Sequence, residues 1–160
     1  MSRRICLAAF LLTLSFSSGS VFAAPPALVG TVKGIELLPQ SILGSALFIF
    51  EYKGTLDGKQ RTGLGWMAVK HTALPPGLGE TAEITEGEGA IFIGFTRLAV
   101  DVNSGLLTLT DLKDPDVFDD EFSVELDVNI SRRGETATHV FTGLLDHEPF
   151  PPTIIGSLGP

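Results

Sequence analysis

Residues 121–131 alternate without a break. Phe122, Val124, Leu126, Val128 and Ile130 fall on one side of an extended chain, and Ser123, Glu125, Asp127, Asn129 and Ser131 on the other. A period of two with one dry and one wet side predicts a half-buried strand. Gly134 in Ser-Arg-Arg-Gly-Glu marks a turn, and the apolar 136–145 returns from it, so the pair predicts an antiparallel hairpin. A second hairpin is predicted around Asp57-Gly58, because a primed two-residue turn demands positive φ and glycine accepts it freely. Its arms are 45–54 and 61–71. In the first, Ala46, Phe48, Phe50 and Tyr52 share a face, while Leu47 and Ile49 make the other face apolar as well, which suggests a central strand or one covered on both sides.

Further strands are predicted over 28–37, 89–102 and, after a break at Asp-Val-Asn-Ser-Gly, 106–110. Breakers stand at 74–80, 85–90 and 147–152. Short helices are predicted at 37–44 and at 114–121, the latter with Asp114 as cap and Pro115 at the first helical position. No long amphipathic helix follows any strand, so no parallel βαβ crossover is expected. About seven or eight strands in one domain point to an all-β antiparallel β-sandwich, preferred because the strands differ in length and some are apolar on both sides; the alternative is a small up-and-down β-barrel. The prolines near the end make 147–160 a tail or an edge segment.

The N-terminus follows a different pattern. Arg3 and Arg4 precede an apolar run from Ile5 to Phe16, then a small-residue exit with Val21 and Ala23. That is the plan of a secretory signal peptide over 1–23, and the run is short of the roughly 20 residues a bilayer core requires. The protein is therefore expected in the periplasm or outside the cell, with residues 24–146 as its folded domain. Removing the first 23 of the 160 residues leaves 137, and takes away Cys6 and two of the eleven basic residues. Nine basic residues then face nineteen acidic ones, a charge of −10. Such a chain has no disulfide to rely on and must be held by an ordinary core. Its charge repels nucleic acid and anionic lipid and favours divalent cations or a basic partner.

The candidate chemistry is sparse. Residues 111–121 carry Asp111, Asp114, Asp116, Asp119, Asp120 and Glu121. Calcium takes six to eight oxygens, so the supply suffices for a weak site, although Phe118 interrupts the ligand spacing of an EF-hand and no glycine makes its central bend. A solvated acidic connector explains the same residues more simply. Glu80, Glu83, Glu86 and Glu88 read as a hydrated loop. His71, His139 and His147 lack the close spacing of zinc ligands. The sequence has no Gly-x-Ser-x-Gly elbow, and no pair of acids stands out for glycoside hydrolysis. Asn129-Ile130-Ser131 is a glycosylation acceptor by pattern, placed in mid-strand.

Trp66, in Gly-Leu-Gly-Trp, is the single tryptophan and the candidate ligand contact, against the plainer reading of a core or corner position. Lipocalin-type barrels carry a Gly-x-Trp element on their first strand; here the tryptophan is on the third, and no kinship is claimed. The resulting expectation is an exported, non-enzymatic β domain that binds an unknown protein or small ligand. The alternatives are a lipocalin-like barrel carrying an apolar ligand among Phe48, Phe50, Trp66, Phe92 and Phe95, and a hydrolase of extracellular polymer. No cofactor is expected beyond calcium.

Overall fold

The computed structural model describes residues 23–38, 44–74, 77–112, 120–146 and 151–160. Eight antiparallel strands run in chain order: β1 (Leu28–Glu36), β2 (Ser45–Leu56), β3 (Lys59–His71), β4 (Thr81–Ile93), β5 (Thr96–Asp111), β6 (Glu121–Arg132), β7 (Glu135–Asp146) and β8 (Thr153–Gly159). Each strand pairs with its chain neighbours, and β8 pairs with β1 as well as β7, so the sheet closes into a barrel. The preferred sandwich is thereby corrected to the barrel: two packed sheets would leave edges, and here the ladder continues through β8 to β1. Residues 153–159, read as tail or edge, are the strand that closes it. The prolines at 151 and 152 precede that strand and cost it no ladder bond.

Two hairpins form at the predicted places. Asp57 and Gly58 both have positive φ, as do Arg133 and Gly134, the geometry of primed turns. The stretch 89–102 is not one strand. Gly94, at φ 58°, and Phe95 turn the chain between β4 and β5, and the 106–110 strand is the continuation of β5 past an irregularity near Ser104. The Glu80–Glu88 segment, read as a loop, lies largely in β4. Its glycines look like breakers but belong to the pleat: Gly87 and Gly89 point inward, where a Cβ would collide with the backbone oxygens of Ala68 and Trp66. The predicted helices at 37–44 and 114–121 fall mostly outside the described residues.

The interior is a packed apolar core. Leu98, Leu107, Leu126, Ile130 and Leu145 have no exposed surface, and Phe50 and Phe141 meet across the barrel with ring centroids 6.4 Å apart. Eight strands give an interior just wide enough for side chains to fill, and here they fill it. A cavity large enough for a ligand would leave accessible surface on the residues around it, and these have almost none.

The two barrel ends differ. The end with the tight turns is closed by the incoming chain: Pro26 is buried, its carbonyl accepts from His139 Nε2 (3.1 Å), and the Ala27 carbonyl accepts from the Asp57 amide (3.0 Å). Arg132 reaches from β6 to the Asp57 carboxylate and holds its pKa below the usual range, chiefly by donating a hydrogen bond to it. Tyr52 braces the same end. Its hydroxyl donates to the carbonyls of Val29 (2.8 Å) and Thr55 (3.1 Å), and burial pushes the phenol up to about 12. The opposite end carries the longer connections.

Candidate functional site

Alternation buries one face of every strand, so the character of the outer wall is set by the other face. Over β1–β4 that face carries an apolar patch in its middle, flanked by polar residues such as Lys33, Glu51 and Lys53 on one side and Lys70, Glu86 and Glu88 on the other. The register places Ile35, Ile49, Trp66 and Ala90 side by side in one row across four strands. Leu64 and Phe92 face each other in the next row toward the tight-turn end, and Leu47 and Ala68 in the next row toward the other end. Ile49 is 45% exposed, Leu64 60% and Phe92 42%. Ala90 points outward yet has no exposed surface, because larger neighbours cover it. Single exposed apolar residues are ordinary on a protein surface, whereas a contiguous group marks a place where something binds.

The doubly apolar β2 is thus explained differently from the expectation. Nothing among the described residues covers its outer side. Trp66 stands half-buried on this outer wall and not in the core. Of the five side chains proposed to line a ligand cavity, Phe48 and Phe50 face inward, Trp66 and Phe92 face outward, and Phe95 is fully exposed at the β4–β5 turn. They do not converge.

Two surface grooves border the wall. One, of about 610 Å³, runs beside Ile35, Ile49 and Leu64, with the cross-strand neighbours Lys33 and Glu51 also in its lining and Pro151 on its far side. The other, of about 470 Å³, lies between Leu38, Ala68, Lys70, Glu86, Glu88 and Asp101. Both are open to solvent along their length. In the second groove Lys70 and Glu86 form an ion pair at 2.5 Å, which raises the lysine and lowers the carboxyl. Glu88 and Asp101 face each other across β4 and β5.

The acidic residues of 111–121 are only partly described. Asp114, Asp116 and Asp119 lie outside the described residues. Asp111 is exposed and faces Glu121 across the β5–β6 ladder, while Asp120 is buried and its Oδ1 has no hydrogen-bond partner. No three His, Cys, Asp or Glu side chains among the described residues form a group that could hold a metal. His71 and His139 sit at opposite ends of the barrel, and His147 is outside the described residues. Each imidazole has its proton placed by a carbonyl: Nδ1 of His71 donates to Thr72 (2.6 Å) and Nε2 of His139 to Pro26. Asn129 accepts from Thr138 and donates to Asn103, both at 3.0 Å, so the amide of the glycosylation pattern is engaged on both sides.

The outer wall was the feature that sequence reading missed. Its signal was present in Leu47, Ile49, Leu64 and Phe92, which break the alternation on strands whose other face is already apolar. Among the described residues no helix is long and apolar enough to cross a membrane. Comparison with family models, with curated proteins and with solved structures gave no match.

Proposed function

We propose that this protein is an exported, non-enzymatic interaction module that binds through the outer wall of β1–β4. The observation that carries this reading is the contiguous apolar group Ile35, Ile49, Leu64, Trp66 and Phe92 on the outside of a barrel whose inside is already filled. A carrier needs room within, and the inward residues take that room. An interaction module needs an apolar surface held on rigid strands, and this wall is one.

The neutral dye Nile red tests the reading. The dye gains emission on the wild-type protein and loses most of that gain in Ile49→Ser and Leu64→Ser, with unchanged far-UV dichroism. Dye binding that survives both changes and responds instead to truncation of Leu98 would place the ligand inside and restore the carrier.

A second reading, weak calcium binding near 111–121, is favoured by one observation, the buried and unpartnered Oδ1 of Asp120. It requires a melting midpoint that rises in millimolar calcium relative to EGTA, since a ligand that binds only the folded form stabilises it. An unchanged midpoint removes it.

A further inference from the structure

We propose that the occupant of this wall is a polypeptide segment that is basic as well as apolar, with a large apolar side chain in the groove beside Ile35, Ile49 and Leu64 and a Lys or Arg against the Glu88–Asp101 pair. The inference rests on the outer-wall reading and names the chemistry of the partner. Its second support is charge. Glu88 and Asp101 are direct cross-strand neighbours, and carboxylates in that relation repel each other. Among the described residues neither takes a hydrogen bond or an ion pair. The nearby cation, Lys70, is committed to Glu86, and Asn129, which faces Asp101, is committed to Asn103 and Thr138. Two unneutralised carboxylates at the margin of an apolar wall weaken the free barrel and are relieved by one cation set between them. Leu38 and Ala68 flank the same groove and offer apolar surface to the methylene stem of such a side chain.

The two anchor points lie about 14 Å apart, two and a half strand spacings around the wall and one row, two residues, along it. An extended segment covers that distance in about four residues. Arg97, beside Phe92 toward the tight-turn end, sets the direction, because it disfavours a second basic residue there. A second copy of the chain is the poorer occupant, since it brings one net-negative surface against another. Anionic lipid is repelled for the same reason, and neutral lipid leaves the carboxylates unanswered.

Trp66, the single tryptophan, stands between the anchor points and reports binding by its emission. Three synthetic peptides of about a dozen residues serve as probes, with anchors about four positions apart to match the extended spacing. One carries two Phe and two Arg in a Gly/Ser background, one has Glu for Arg, and one has Ala for Phe. The Phe/Arg peptide is expected to shift the emission saturably and to bind about tenfold more tightly than the Phe/Glu peptide, equivalent to one strong charged contact. The double variant Glu88→Gln, Asp101→Asn is expected to lose that preference and keep the residual apolar binding, with unchanged dichroism. Equal binding of the two peptides, or an undiminished preference in the double variant, overturns the charge assignment. The outer-wall reading survives that result if Leu64→Ser weakens both peptides, and falls with it if neither Phe peptide binds. A stronger response to phosphatidylcholine vesicles than to the Phe/Arg peptide overturns the proposal in favour of a lipid surface. A dimer in sedimentation velocity that Leu64→Ser dissociates overturns it in favour of a second copy.

Discussion

β3 and β6 lie three strands apart around one barrel and contribute alike to its core, but their outer faces differ. β3 shows Leu64, Trp66 and Ala68, whereas β6 shows Ser123, Glu125, Asp127, Asn129 and Ser131. Around β6 the polar side chains satisfy one another: Ser131 with Thr136 at 2.8 Å, Thr138 with Asn129, and Asn129 with Asn103. That side is complete in water. The β3 side is not, because its apolar atoms gain nothing from solvent and, at its margin on β4 and β5, the Glu88–Asp101 pair has no cation among the described residues. The core is built by the inward residues on both sides alike. What differs between the two outer faces is available for function.

The sharpest way to break this comparison is to truncate the same residue type inside and outside. Leu126→Ala, at a site with no exposed surface, is expected to cost about 2–5 kcal/mol in urea unfolding, from lost burial plus the cavity it leaves. Leu64→Ala on the wall is expected to stay within about 0.5 kcal/mol. Equal costs would mean that the wall is part of the core.

A smaller effect concerns the tight-turn end. Tyr52→Phe removes one hydroxyl proton shared between two carbonyls and is expected to cost about 0.5–1.5 kcal/mol at neutral pH. The pH dependence has a definite sign. Below pH 10 the phenol is protonated in both states. As pH rises from 10 toward about 12, the unfolded chain releases this proton before the folded one does, so stability declines across that window. The Phe variant lacks this part of the decline, which unfolding titrations at pH 9, 10 and 11 would reveal.

Next in size is the Asp57–Arg132 pair. It is partly exposed, and a double-mutant cycle with Asp57→Asn and Arg132→Gln is expected to give about 0.2–1 kcal/mol. Because the folded carboxyl is held below its ordinary 3.8, the contribution is present above that value and is lost as pH falls through the lower folded one. The smallest effect is a gain. Glu88→Gln removes like-charge repulsion and is expected to raise stability by a few tenths of a kcal/mol, roughly the scale of one cross-strand pair.

The sequence carried most of the ladder and little of its closure. β6 and β7 were legible because one side of each strand is wet, and Asp57-Gly58 because few residue pairs accept its backbone. Closure depends on β8 meeting β1 across more than a hundred residues, which no local pattern records, and the prolines before Thr153 hid a good strand behind a poor beginning. The β4–β5 turn was concealed because Phe95 is aromatic, and β4 because its inward glycines imitate a loop. The wall was visible as a second apolar face on β2, but alternation alone does not say whether such a face is covered.

Chemical-shift mapping of the labelled protein during titration with the Phe/Arg peptide tests the central claim most directly. Saturable shifts are expected at Ile49, Leu64, Trp66, Glu88 and Asp101, with the inward Leu98 and Leu126 and the outer Ser123 and Glu125 of β6 unmoved. Shifts centred on Leu98 and Leu126, or on Ser123 and Glu125, would contradict it.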